Sequence, residues 1–318
     1  MQEVNHIKLI TVIVLLFSLL GSIHGAVCAQ DQPAENTIIE VGMWVSDIKG
    51  VDLASSSFNM DFYLLFEFNP SEISLDQVRK FTIVNIAIID IDLSINEVEA
   101  NEQEGVLIYQ VIGAFTKNFD IQRYPFETHT LEIIIEYSGF NSSFVSYKVG
   151  SKIKVDESVN IAGWELGDYK TEISEKAYFD NSYSRFIFGI DISRPWLSGI
   201  IKNILPLAIF AVMAMLAFLV PIEESGQRLA LVSVILLSTI TFHFALLSGL
   251  PPRDYLTFSD KIMLVLDLVF LYILTAVAYI MYLQTKKKDV DLMTINKRAL
   301  EILIVLFAIL LVGLIISF

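Results

Sequence analysis

The sequence predicts an extracellular antiparallel β-sandwich followed by a four-helix transmembrane domain, and three observations lead to this class. The 318-residue chain is 54% hydrophobic and carries a formal charge of −14, a greasiness unusual for a soluble protein. The charge is uneven. Residues 30–193 hold 27 acidic and 11 basic side chains, whereas the last third is nearly neutral, as expected of a soluble domain joined to a membrane domain. Between residues 37 and 192 the apolar positions recur with period two, and beyond residue 195 they merge into blocks of membrane-spanning length. No basic patch is present to neutralise phosphates, which argues against a nucleic-acid partner.

Residues 1–29 have the layout of a secretory signal peptide. Lys8 precedes the apolar run Leu9 to Leu20, which is short for a bilayer span, and Val27-Cys28-Ala29 offers small residues for cleavage after Ala29. A retained anchor is the alternative. Cys28 is the only cysteine, so cleavage there leaves a mature chain with no disulfide and no cysteine-based metal site. Residues 30–194 form the sandwich domain. In "NMDFYLLFEF" one face carries Met60, Phe62, Leu64, Phe66 and Phe68. "TLEIIIEY" aligns Leu131, Ile133, Ile135 and Tyr137, and "RFIFGIDI" aligns Phe186, Phe188, Ile190 and Ile192. Such strands between polar turns predict a sandwich, and no amphipathic helix stands out among them.

Residues 195–318 form the transmembrane domain, with spans at about 196–220, 229–250, 262–283 and 299–318, each near the ~20 residues that cross the hydrocarbon. Lys286, Lys287, Lys288, Lys297 and Arg298 lie between the third and fourth, which predicts a cytoplasmic loop. Four spans then put the acidic domain and the C-terminus outside, in agreement with a signal peptide.

The second span is unusual. It holds Ser233, Ser238, Thr239, Thr241, His243 and Ser248. Hydroxyl residues can glue helices together. Their spacing points further: Gln227, Val234, Thr241 and Ser248 recur every seven residues, as do Ala230, Leu237 and Phe244. The two stripes are adjacent on a helix. They form one face, polar or small at its ends and narrowed by Leu237 and Phe244. A ring of such helices would enclose a channel with an apolar constriction that gates by dewetting.

One loop of the polar half is also anomalous. "NFDIQRYPFETHTLEI" places Tyr124, Pro125 and Phe126 between two strands, although loops are normally polar because they face water. An apolar loop tip must be buried, either in a corner of the sandwich or against the membrane domain.

With these motifs in view, the chain resembles the pentameric ligand-gated ion channels, the Cys-loop receptor superfamily, in its prokaryotic branch, from about residue 38 to the end. Tyr124-Pro125-Phe126-Glu127, with Asp120 upstream, is similar to the family's Phe-Pro-Phe-Asp loop. "NILPLAIF" resembles the first span around Pro206, "SGQR" the usual Ser-Gly-Glu-Lys/Arg, and "GLPP" the turn after the second helix. Order and spacing both match. Lys117 and Leu131 stand where animal members have the two loop cysteines, a departure shared by bacterial members.

The resemblance implies a homopentamer around a central pore, surrounded by membrane lipids and conducting monovalent cations, with no enzymatic activity and no cofactor. It implies that Tyr124, Pro125 and Phe126 pack near Leu250, Pro251, Pro252 and Tyr255, and that Asp52 and Glu127 approach Arg194 to couple the domains. An agonist, an amine or protons, would act between neighbouring sandwiches. Tyr63, Tyr178 and Tyr183 match aromatic positions of that site. Ser138 replaces an aromatic, and Phe140 lies two residues beyond it. Gln227 replaces the selectivity glutamate of cation channels and no Pro-Ala insertion is present, so Glu223 and Glu224 are left to supply a cation-favouring ring. The acidic run Asp90 to Glu104 suggests modulation by Ca2+ or a solvated edge strand. No catalytic spacing is present; His129 and His243 are candidates for tuning a pH response.

Overall fold

The computed structural model describes residues 36–87, 93–286 and 291–316. The signal segment with Lys8 and Cys28, together with Asp90, Asp92, Lys287 and Lys288, lies outside the described residues. Among the described residues nine strands form two sheets: β1 (Thr37–Asp52), β2 (Ser57–Glu67), β3 (Phe81–Ile83), β4 (Ser94–Asn101), β5 (Val106–Thr116), β6 (Thr128–Tyr137), β7 (Val145–Val155), β8 (Glu165–Tyr178) and β9 (Asn181–Ser193). One sheet runs β4-β5-β2-β1-β7 and the other β3-β6-β9-β8.

The alternation falls into place face by face. Met60, Phe62, Leu64 and Phe66 of β2 are at most 1% exposed. They share one core with Leu131, Ile133, Ile135 and Tyr137 of β6 and with Phe186, Phe188 and Ile190 of β9. Burying each such side chain contributes about 1.5–3 kcal/mol. The pairing is not wholly antiparallel, because β1 and β7 run parallel. Period two reports which face a side chain takes and is blind to strand direction. β4, which carries part of the acidic run, is a solvated edge strand paired to β5. A single helical turn, α1 (Leu75–Val78), interrupts the strands and is too short to show a 3.6-residue period.

Beyond Ser193 the described residues are mainly helical. α2 (Trp196–Phe218), the stretch Ile222–Leu247 and α4 (Phe258–Thr285) are long and apolar enough to cross a membrane. Within α2 a π-turn covers Ile200–Ile204, just before Pro206, where proline removes one intrahelical hydrogen bond. A short 3-10 turn, Ile222–Glu224, leads into α3 (Ser225–Leu247). α4 begins at Phe258, ahead of the expected 262, because Thr257 and Asp260 form a capping box. The last apolar segment is also a helix, α5 (Leu292–Ile316). Leu207, Val232, Ile235, Val269, Phe270 and Leu303 pack into a second core shared by these helices.

Candidate functional site

The β5–β6 loop is where the two parts meet. The Gln122 carbonyl accepts from Phe258 N–H at 2.8 Å, and the Tyr124 carbonyl accepts from Ser259 N–H at 3.2 Å. These are first-turn amides of α4, donors that a helix cannot satisfy internally. The Tyr255 hydroxyl accepts from Ile121 N–H at 3.1 Å. The Tyr124 hydroxyl donates to Asn203 Oδ1 of α2 at 3.3 Å, and the Phe126 and Phe258 rings lie 6.1 Å apart. A Cβ at Gly199 would stand 3.1 Å from both the Phe126 ring and the Pro125 carbonyl, so the absent side chain lets the loop seat on α2. Pro125 is buried. The loop's apolar tip therefore faces helices. Leu250 and Tyr255 pack against the sandwich core, whereas Pro251 is half-buried and Pro252 exposed. Phe258 and Ser259 lie ahead of the apolar run expected to start at 262, and nothing in the sequence marked them as partners of this loop.

Beside the loop, Arg194 Nε donates to Glu127 Oε1 at 2.7 Å. Glu127 is 2% exposed, and its second oxygen has no hydrogen-bond partner. The Arg194 guanidinium lies over the Trp164 ring at 4.4 Å and the Tyr124 ring at 5.8 Å. Asp52, expected beside Arg194, instead caps its own hairpin turn, accepting from Ala54 N–H at 2.9 Å and Ser55 N–H at 3.4 Å. Hydrogen bonds from Ser55 hold its carboxyl below the usual carboxylate range. A turn aspartate binding the amides two and three residues on is a local preference, and here it draws Asp52 away from the pair.

His129 sits in the same region, buried edge-on between Phe119 at 5.0 Å and Trp164 at 5.6 Å. Burial, followed by the Lys117 and Arg194 cations, pushes its pKa down to about 4, with Asp120 opposing. The folded imidazole thus refuses a proton that the unfolded chain accepts below about pH 6.5. Stability is full above that value and falls as pH drops from about 6.5 towards about 4. His129→Gln should flatten this slope, which thermal melts between pH 7 and 4 would measure; an unchanged slope would clear His129 of the effect. His243, by contrast, faces Asp260 at 3.4 Å, and Asp260 also accepts from Arg253 at 2.8 Å.

On α3, Gln227, Ala230, Val234, Leu237, Thr241, Phe244 and Ser248 (its C-cap) are all exposed, Leu237 by 66% and Phe244 by 69%. Arg228, Val232, Ile235 and Thr239 are buried on the opposite side. The hydroxyls of Ser233, Ser238, Thr239 and Thr241 each donate to the carbonyl four residues back, so these bonds stay within the helix. Glu223 and Glu224 are exposed, and the Gln227 amide donates to Glu224 at 2.9 Å. Arg228 is 1% exposed. Its guanidinium binds the Ala217 carbonyl at 2.9 Å and Asn296 Oδ1, while Asn296 Nδ2 reaches the Phe218 carbonyl at 2.9 Å. This arginine ties together the ends of α2, α3 and α5, a role that only packing reveals.

Of the residues matched to an agonist site, Tyr63 stacks on Trp44 at 5.4 Å. Trp44 lies between buried Met43 and Val45, so alternation alone could have marked it as outward-facing. Tyr178 and Tyr183 lie 6.0 Å apart on the β8–β9 hairpin. Ser138 is exposed. Phe140 packs against Phe144 at 6.4 Å and onto the core.

A β-sandwich seated through an apolar loop on helices of membrane length defines a membrane protein with a sheet-rich extramembrane domain. Its resemblance is to the pentameric ligand-gated ion channels, and one relative extends it along most of the chain. A proton-gated ion channel of Gloeobacter violaceus is 21% identical over 283 residues, 83% of this chain and 78% of that protein. The γ-aminobutyric acid receptor subunit pi of Rattus norvegicus is 20% identical over 152 residues, 46% of this chain and 34% of that protein, and its Bos taurus counterpart matches equally. These relatives are ion channels and receptor subunits, not enzymes. No protein-family model matches the chain.

Proposed function

We propose that this chain assembles as a homopentamer in the cytoplasmic membrane of a prokaryote and conducts ions through a pore lined by α3. α2 to α5 are its four spans, with the sandwich and the C-terminus outside and the lysine-rich linker inside. The sandwich responds to a small molecule, an amine or protons, and the Tyr124-Pro125-Phe126 loop passes that response to the helices. The single observation that carries the reading is the α3 stripe: every position assigned to the pore is exposed in the protomer while the opposite face is buried. An exposed row with Leu237 and Phe244 at its centre calls for company, and a ring of copies enclosing water at its polar ends supplies it. A proton-gated relative that spans most of the chain points the same way.

Planar-bilayer recordings from the purified protein, with pH steps and a panel of small amines, test this. Currents evoked by either support the channel; ligand binding without current under any condition would favour a non-conducting membrane-anchored sensor. Weak selectivity for monovalent cations is expected, because a fivefold ring of Glu223 and Glu224 at the inner mouth repels anions. Reversal potentials under a salt gradient should favour sodium over chloride, and Glu223→Gln with Glu224→Gln should lower that preference severalfold. A chloride preference, or no change in the double variant, would overturn the assignment.

A further inference from the structure

On the outward face of the second sheet, cross-strand register brings together residues of three strands. Glu136 of β6 stands opposite Arg185 of β9, and Arg185 stands opposite Ser174 of β8, two residues from the Lys176–Tyr183 pair. Arg185 Nε donates to Glu136 Oε2 at 2.6 Å, and Arg185 Nη2 donates to the Tyr178 hydroxyl, also at 2.6 Å. That hydroxyl in turn donates to Glu136 Oε2 at 3.2 Å. The guanidinium carbon lies 5.9 Å from the centre of the Tyr178 ring. The Arg185 and Glu136 side chains are only 14% and 13% exposed, whereas Tyr178 is 40% exposed, so the cluster opens to solvent on its tyrosine side.

A carboxylate with two aromatic rings is what an ammonium ligand needs: one charge to pair with and ring faces to lie against. Here each of those groups is present, and a cation of the chain's own already holds the carboxylate and one ring. We propose that Arg185 is a tethered cation filling the ammonium subsite formed by Glu136, Tyr178 and Tyr183, so that the site excludes free alkylammonium ligands while the guanidinium is in place. This rests on reading Tyr178 and Tyr183 as ligand-binding residues. An amine must displace a guanidinium held by two hydrogen bonds of 2.6 Å, and Lys176 adds a second like charge across from Tyr183. The guanidinium thus sets the threshold that an amine agonist must overcome at this subsite, which makes Arg185 the specificity-determining residue of that surface.

The test is tetramethylammonium chloride binding to the full chain in detergent, by calorimetry and by thermal melts against matched sodium chloride. Arg185→Gln leaves the Glu136 carboxylate without its cation, a deficit that a bound ammonium repairs. It should bind tetramethylammonium at least about tenfold more tightly than the wild type, roughly 1.4 kcal/mol, and melt at a higher temperature in its presence. Adding Glu136→Gln should abolish the gain, and Arg185→Lys, which keeps a tethered cation, should show none. Tyr178→Phe, which loosens the guanidinium without removing the ring, should raise affinity about threefold and decides the matter should Arg185→Gln not fold. Equal affinity in wild type and Arg185→Gln, or in wild type and Tyr178→Phe where that variant decides, would overturn the proposal. Binding and current are separate readouts. A gain in binding without current leaves the tethered cation standing and the channel fallen; agonist-evoked current without the gain does the reverse.

Discussion

Leu237→Ser should raise the resting current and lower the agonist or proton concentration needed for half activation by at least about tenfold. Leu237 is 66% exposed in the protomer, so its side chain contributes little to the core of its own chain and the substitution should leave folding intact. In a closed ring the leucines would meet, and water would leave the gap between them. Exchanging an isobutyl group for a hydroxymethyl removes apolar surface and supplies a donor and an acceptor at each copy. Even ~1 kcal/mol of relief shifts a two-state balance about fivefold, and a ring repeats the change in every subunit. Single-channel recordings beside a size measurement of the assembly check this. An assembly of unchanged size with unchanged resting and evoked current would remove Leu237 from the gate.

Arg194→Ala should be the most damaging change at the junction, with losses in both stability and activation. From the sequence alone, Arg194 looks like a boundary charge whose removal spares packing. The structure alters that expectation, because its guanidinium lies 4.4 Å from the Trp164 ring centre and pairs with a carboxylate that is 2% exposed. A surface ion pair is worth little. Deleting one partner of a buried pair strands a charge at a cost of about 3–5 kcal/mol, and the second oxygen of Glu127 already lacks a hydrogen-bond partner. The pair also bridges the start of β6 and the end of β9, where the chain enters α2. Adding Glu127→Gln to Arg194→Ala removes the stranded charge and should recover much of the stability while activation stays impaired. If the double variant activates normally, the pair holds the fold without carrying a signal. If the single variant melts with the wild type, the burial argument is wrong.

Much of the sandwich was legible in the sequence because strand faces follow from a local rule. Phe62 and Phe66 of one strand, Ile133 of another and Phe188 of a third all turn inward for the same reason, the period of two. The apolar loop was legible as an anomaly: Tyr124, Pro125 and Phe126 violate the usual polarity of a turn, and the violation itself calls for a partner surface. The stripe on α3 was legible because seven-residue recurrence puts Gln227, Val234, Thr241 and Ser248 on one face whatever surrounds the helix.

What the sequence by itself determined, then, is what depends on periodicity and length: which faces are apolar, where the helices lie, and which loop must be covered. The tertiary structure alone decided the partners of the charges. Arg228, beside Gln227 in the chain, turns away from the exposed stripe to bind Ala217 and Asn296. Asp52 closes its own turn rather than reaching Arg194. Arg185 lies against Tyr178, a neighbour set by hairpin register. The physical reason is one of range and direction. Hydrophobic burial is non-directional and accumulates along an element, so its pattern is written locally. A hydrogen-bonded charge answers to one or two atoms at less than ~3 Å, and residues 11, 49 or 68 positions away in the chain become those atoms only after the elements have packed.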